Sequence, residues 1–377
     1  MPVSSIYWRP DSLDGDSIDF EPGTVLFERF RLERHLGTGG FGCVWEVHDK
    51  WLNKQVALKL SHHDLVKETL VLRNLPKDKF ISIFDYAITP DKALSAYSME
   101  MLAKPWMTLD KYYFEHVSKK RNNSGHVIPS VRTAVSIAVD ILQNLIVLHG
   151  KKYAKNYSWC HGDIKPNNIY VHIGEMKKVQ KIRWGAPTPA FIKIGDLGLA
   201  CEKGALLEAG TYGFMAPEQD GSRCVGPNTD VYAVGQTLMF LLTGESLTSN
   251  DISHVSRLRA KLTRHVPSTF LVNKLAPILR KMTLKTPSQR LSAEASIEKL
   301  KQVVVTEEDW CILSKFAGEL GGGGKLDDAA DALYPDFSRL NGWKKKTTQR
   351  LDEIKELVRS AYKRNILRRQ GHSYFLY

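Results

Sequence analysis

Apolar and polar residues alternate where regular structure first shows itself in the chain. Phe30 to Leu36 (FRLERHL) alternates, a glycine cluster follows, and CVWEV from Cys43 and QVALKL from Gln55 alternate again around a turn at Asp49 to Lys54. A period of two over such lengths predicts antiparallel strands with one face against a core. From about Thr108 the period changes. Val131 to His149 (VRTAVSIAVDILQNLIVLH) repeats its apolar residues at three and four, the spacing of an amphipathic helix. Short strands return at Ile169 to Ile173 and at Phe191 to Ile194, and the basic, proline-containing stretch between them (GEMKKVQKIRWGAPTP) predicts a surface insertion. Helices resume from about Thr229 to Leu300. Beyond Gly321 to Gly324, four glycines that favour a hinge, Leu351 to Leu367 carries a last helical stripe flanked by lysines and arginines.

Length and composition narrow the class. The 377 residues suffice for two to three domains of ~150, and 43% hydrophobic with 25% charged residues excludes a disordered or fibrous chain. The net charge of +12 admits either a solvated basic surface or an anionic partner. It is unevenly placed: Ser338 to Tyr377 holds eleven basic against three acidic residues, a balance of +8, while Lys301 to Phe337 has three against eight. Cys43, Cys160, Cys201, Cys224 and Cys311 form no CxxC pair, so neither a disulfide framework nor a zinc site is indicated, and a reducing, cytoplasmic setting is expected. Met1 to Phe20 carries four aspartates and no apolar core, unlike a secretory signal. The most apolar stretch, Val231 to Leu242, is well short of the ~20 residues that span a bilayer.

Four short segments carry the chemistry. Gly37, Gly39, Gly40 and Gly42 sit between two strands, where the absence of side chains lets backbone N–H groups approach phosphate oxygens; a plain turn has the same composition. Val56-Ala57-Leu58-Lys59 then puts a lysine on the next strand, within reach of a nucleotide lying under that loop. His161-Gly162-Asp163-Ile164-Lys165-Pro166-Asn167-Asn168 follows the long helix, and Asp196-Leu197-Gly198 ends an apolar strand. Phosphoryl transfer requires a group that orients the attacking hydroxyl, oxygen ligands for magnesium, and cations that spread the charge of the moving phosphate. Asp163, Asn168 with Asp196, and Lys59 with Lys165 match these needs in turn.

With these motifs in order from Gly37 to Arg290, about two-thirds of the chain resembles the eukaryotic-type (Hanks-type) serine/threonine protein kinases. The resemblance implies an α+β fold, a bilobal protein-kinase-like fold with a small C-terminal helical extension: residues 1–27 an N-terminal extension, 28–103 the N-lobe, 104–304 the C-lobe and 305–377 a helical, basic extension. It implies ATP and magnesium in the cleft and protein substrates. Asp163 would be the catalytic base, Lys165 would contact the transferred phosphate, Lys59 would pair with Glu68, and Asn168 and Asp196 would hold magnesium. Val44 and Ala57 would sandwich the adenine, Met99 would be the gatekeeper, and Glu100 to Leu102 the hinge. Ala216-Pro217-Glu218 resembles the end of the activation segment, with Glu218 salt-bridged to Arg290, and Asp230 would brace the catalytic loop. Lys165, with Gly210-Thr211, resembles the serine/threonine pattern, in which Thr211 hydrogen-bonds around the base.

Three departures from the family pattern shape the expectation. Gly162 stands where many regulated kinases carry the arginine that clamps an activation-loop phosphate, and no Ser, Thr or Tyr lies between Asp196 and Thr211. Activity without loop phosphorylation is therefore expected. Nine residues separate Lys59 from Glu68, a short interval that implies a truncated helix. Leu197 replaces the familiar phenylalanine, a size-conserving change. His-Gly-Asp with Asn168 also resembles the aminoglycoside and choline phosphotransferases, which phosphorylate small molecules, and a catalytically silent kinase-fold scaffold is the remaining alternative. For the C-terminal extension two partners stay open: docking on the kinase core or a protein, and contact with nucleic acid or an anionic membrane through Lys344 to Lys346, Arg350, Arg359, Lys363, Arg364, Arg368 and Arg369.

Overall fold

In the computed structural model, which describes residues 20–40, 42–119, 131–150, 158–175, 191–266 and 269–303 and short strands at 323–324, 367–370 and 373–376, the alternating segments form strands. β1 (Val25–Leu26), β2 (Phe30–Gly39), β3 (Gly42–Asp49), β4 (Lys54–Ser61), β5 (Ile83–Ile88) and β6 (Ser95–Met99) make one antiparallel sheet in the order β1-β2-β3-β4-β6-β5. Phe30, Leu32, Trp45, Val47, Val56, Leu58, Leu60 and Ala96 are buried together on one side of it. Each larger one contributes about 2 kcal/mol on burial, and a one-residue slip would turn a strand's set to the other face, so this pattern holds the register. The register places Val44 opposite Lys59, Lys59 opposite Tyr97 and Ala57 opposite Met99. Opposed residues share a face, so these five side chains lie on the other side of the sheet from that core.

α1 (Val66–Asn74) crosses from β4 to β5 and is nine residues long, as the short interval to Glu68 implies. Its first turn is capped from outside: the Asp64 carboxylate accepts from the Val66 N–H at 2.8 Å. Glu68, Thr69, Val71 and Leu72 form its buried face.

The rest of the first unit, residues 1–301, is mainly helical. β7 (Trp106–Thr108) leads into α2 (Leu109–Tyr112) and a π-helical turn at Tyr113–Val117. α3 (Val131–His149) occupies the span its periodicity predicts and packs against α4 (Pro227–Thr243), which starts with proline at its first position and stops at Gly244 in the left-handed region. α5 (Ser249–Ser253), α6 (Val255–Thr263), α7 (Thr269–Met282) and a helix over 293–303 complete the order. Two small ladders carry the loops between α3 and α4. β9 (Ile169–His172) lies between β7 and β10 (Ile192–Ile194), and β8 (Trp159–Cys160) pairs antiparallel with β11 (Cys201–Glu202).

Residues 302–377 form a second unit. Its described strands, β12 (Gly323–Gly324), β13 (Leu367–Gln370) and β14 (Ser373–Leu376), form an antiparallel sheet in the order β12-β14-β13. The helical stripe expected over Leu351 to Leu367 lies outside the described residues except for Leu367, which is in a strand. Gly323 and Gly324, expected as hinge, are also in a strand. Of the basic residues named for an anionic partner, only Arg368 and Arg369 are described. Most of the expected surface insertion, 176–190, is outside the described residues too. No helix among the described residues is long and apolar enough to cross a membrane.

Candidate active site

β2 and β3 meet at a hairpin closed by the pair Gly39 and Gly42. Gly42 has φ +119, and a Cβ there would lie 1.9 Å from the Leu60 carbonyl oxygen, so only glycine lets this hairpin lie so close to β4. Added side-chain atoms at Gly37 and Gly39 would meet nothing within 4 Å. One end of the hairpin is thus tied to the sheet while its tip leaves bare backbone over open space. Gly40 forms the turn itself.

Beneath it lies a buried ionic group. The Lys59 ammonium donates to both Glu68 carboxylate oxygens, at 3.0 and 2.9 Å, and to Asp196 Oδ1 at 2.7 Å. Burial works against the ammonium, but Glu68 and Asp196 outweigh it and hold the lysine charged above its ordinary range. Burial likewise opposes ionisation of Asp196, and Lys59 overcomes it, keeping that carboxyl below its ordinary value. The Tyr97 hydroxyl donates to Glu68 Oε1 at 2.8 Å and fixes the carboxylate from the far side. Sequence reasoning missed Tyr97, although its place opposite Lys59 follows from the alternation. Asp196 itself sits at φ +57, the left-handed region that costs a non-glycine residue about 1–2 kcal/mol.

At the hinge, the Glu100 carboxylate receives the Lys193 ammonium at 2.6 and 2.7 Å and the Ser82 N–H at 2.7 Å. That side chain is committed to β10 and to the residue before β5, and the Glu100 N–H donates to the Ser82 carbonyl at 2.9 Å, which leaves the Glu100 carbonyl for a bound ligand. Leu102 follows, half-buried, and Met99 is buried opposite Ala57.

A second cluster surrounds Asp163. The Lys165 ammonium lies 2.8 Å from Asp163 Oδ2, and the Thr211 hydroxyl and N–H both donate to Oδ1, at 2.8 and 3.1 Å. Lys165 also donates to the Thr211 hydroxyl at 2.7 Å. The Asn168 amide donates to the Asp163 carbonyl at 2.9 Å and to Oδ2 at 3.2 Å, so its own oxygen is the atom left for a cation. Buried Asp230 accepts the His161 and Gly162 N–H groups at 2.8 and 3.0 Å and pairs with His149 at 2.8 Å. Because the Asp163 N–H donates to His161 Nδ1, the His161 proton resides on Nε2 and is given to the Gly195 carbonyl at 3.0 Å. The backbone is therefore bound on both sides of Asp163.

Much of the segment after Asp196 is held by neutral contacts. Gln219, 1% exposed, donates from Nε2 to the carbonyls of Gly162 and Ala209, both at 2.7 Å, and accepts from the Ala216 N–H at 2.9 Å. Cys160, Leu199, Cys201, Leu207, Ala209 and Val225 close into one apolar cluster. Gly162 has φ +78, and a Cβ would stand 2.9 Å from the Leu199 carbonyl oxygen and 3.0 Å from a Leu207 methyl. Glu218 and Arg290 make the expected pair, two contacts at 2.6 and 2.7 Å with both side chains fully buried. Gln219 was invisible to sequence reasoning, since a lone glutamine after a Pro-Glu step carries no chemical signature.

The donor set suits a hard cation. Asp196 and Asn168 would offer oxygen ligands, and among the described residues no group of three or more His, Cys, Asp or Glu could hold a metal by itself. A magnesium ion held by two side chains is completed by water and phosphate oxygens, the manner in which it binds with nucleotides.

The family model described as protein kinase domain matches residues 30–300. Among curated proteins, the chain is 24% identical over 62% of its length to cysteine-rich receptor-like protein kinase 27 of Arabidopsis thaliana, covering 34% of that protein. It is 26% identical over 74% of its length to serine/threonine-protein kinase pkn3 of Myxococcus xanthus, covering 51%. Against serine/threonine-protein kinase ArnS of Sulfolobus acidocaldarius it is 29% identical over 61%, covering 40%. The chain thus spans about a third to a half of these relatives.

Proposed function

The chain belongs to the protein kinase domain family, and from that premise we propose that it transfers the γ-phosphate of ATP to serine or threonine hydroxyls of proteins, with its activation segment in place before any phosphorylation. The observation that carries the reading is the Asp163, Lys165 and Thr211 triangle, whose three contacts measure 2.7–2.8 Å. Asp163 would accept the substrate hydroxyl's proton. Lys165, released from Thr211 or shared with it, would lie beside the moving phosphoryl group, and Thr211 keeps the carboxylate aimed. Lys59, oriented by Glu68, would hold nucleotide phosphates beneath the glycine hairpin. Val44, Ala57 and Met99 would flank the base, with the Glu100 to Leu102 backbone at its edge. Asn168 and Asp196 would hold magnesium, which supplies charge neutralisation between phosphate oxygens.

Independence from loop phosphorylation is supported by Gln219 and the apolar cluster, which tie the segment to Gly162 where a phosphate clamp has no arginine to use. The cysteine pattern favours a cytoplasmic setting. The residue 305–377 extension is proposed as a docking element for the kinase core or a protein partner, on the ground that its apolar stripe needs burial.

Labelled ATP, magnesium and a generic basic protein, incubated with the chain and with its Asp163→Ala variant, test the reading. Label on serine or threonine that disappears in the variant supports it. Label confined to small-molecule alcohols added in parallel would establish the phosphotransferase alternative, and no label with either would leave a silent scaffold.

A further inference from the structure

Two thiols that the phosphotransfer reading does not use face each other beside the catalytic loop. Cys160 ends β8, one residue before His161, and Cys201 opens β11 in the activation segment. They are direct partners in the ladder, and their sulfurs are 3.6 Å apart. Both are free cysteines within the apolar cluster that anchors the segment.

Opposed residues of an antiparallel pair have Cα atoms about 4.5–5.5 Å apart, inside the about 4.4–6.8 Å window that a disulfide bridges. The sulfurs need only close to about 2.05 Å, a distance covered by rotating two side chains on a backbone already in register. We propose that Cys160 and Cys201 form a peroxide-responsive disulfide that covalently ties the strand leading into the catalytic loop to the activation segment. The chemistry balances with one peroxide. The first thiol, as thiolate, attacks hydrogen peroxide, giving a sulfenic acid and water once a proton is taken up. The second thiol displaces hydroxide from that sulfur, forming the S–S bond and a second water. Two electrons pass from the sulfurs to the peroxide.

The two cysteines lie 41 positions apart, and the span between them contains Asp163, Asn168 and Asp196. Since the pairing is the one already present, the oxidised form keeps the arrangement around Asp163 and resists loss of the segment's anchorage. It is a lock on the active arrangement. The contact with Cys201 and burial push the Cys160 thiol well up, and the two residues are 0% and 4% exposed. Oxidation therefore begins during opening of a ladder only two residues long, and it is slower than at the exposed thiol of Cys224.

The test uses the full chain carrying Cys224→Ser, which removes the exposed thiol, treated with hydrogen peroxide and digested without reductant. The expected result is a peptide linked through Cys160 and Cys201, two hydrogens lighter than its parts and released by dithiothreitol, with the unfolding midpoint raised by about 5 °C. Cys201→Ala and Cys160→Ala should each abolish both changes, and the linked peptide itself is sought in the chain with both thiols intact. Free thiols, separate sulfinic acids or pairing with another cysteine would overturn the site. The lock rests on the kinase reading, and the two fail differently. A linked peptide with phosphotransfer lost on oxidation and restored by reductant overturns the lock, whereas a linked peptide in a chain inactive in both states leaves the disulfide standing and removes the kinase reading.

Discussion

Lys59 is surrounded by carboxylates at 2.7–3.0 Å, whereas the segment after Asp196 rests on a glutamine amide and six apolar or thiol side chains, with charge entering only where Thr211 donates to Asp163 and where Glu218 meets Arg290. The energetics of the two anchors differ in kind. Buried charges cost desolvation and recover it only through close, complete pairing, so their value is positional. An apolar cluster stabilises wherever water is excluded and needs no modifying enzyme to complete it. The contrast separates the part that would handle phosphate from the part that would otherwise be switched by it.

Substitutions that remove charge from the first region and shape from the second sharpen this contrast. The largest effect is expected at the point where both regions converge: Asp163→Asn should lower phosphotransfer by about 10³-fold while leaving the unfolding midpoint within a few degrees. Glu68→Gln comes next. Lys59 loses half of its compensation, so phosphotransfer should drop by about 10²-fold and stability by about 3 kcal/mol, read by single-turnover kinetics and urea titration. Gly162→Arg restores the residue that a phosphate clamp uses. Here it should add no phosphate dependence and should destabilise by about 2 kcal/mol, since a side chain at φ +78 meets the Leu199 carbonyl. Gln219→Ala strips one donor from two buried carbonyls and should cut the rate about tenfold, with the Ala216 N–H, which loses its acceptor, exchanging faster with solvent deuterium.

The smallest effect lies away from both regions. Burial pushes the Asp140 carboxyl up to about 6, against the pull of Lys79. A folded-state value raised above the unfolded one favours the protonated protein, so this contribution is fully present below about pH 4 and is lost as pH rises through about 6. Asp140 Oδ2 has no hydrogen-bond partner. Asp140→Asn should therefore raise the unfolding midpoint at pH 7.5 by a few degrees and change it little at pH 4.5.

The same contrast explains what could be read in advance. Lys59, Asp163, Asn168 and Asp196 belong to motifs whose residue types are dictated by phosphate and magnesium, and the kinase resemblance set Val44, Ala57 and Met99 beside them, where the strand register puts them on the face of Lys59. Glu68 was legible through the kinase resemblance, which pairs Lys59 with a helix glutamate. Gln219, the apolar cluster and the β8–β11 ladder were not. The Cys160–Cys201 and Gly162–Gln219 contacts join residues 41 and 57 apart through pairs too short to show any period, so only the folded chain displays them. Strands β13 and β14 were missed for a related reason: four residues each, next to a helical stripe, they carry no alternation long enough to outweigh it.

The most direct measurement concerns the activation segment. The chain is prepared with a phosphatase, its mass verified as unphosphorylated, and its initial rate on a serine/threonine peptide is compared with that of the same preparation after incubation with ATP and magnesium. An anchorage built from Gln219 and apolar packing predicts initial rates equal within twofold and no lag. A dephosphorylated chain that is inert until a phosphate appears on Thr211 or its neighbours would contradict the account.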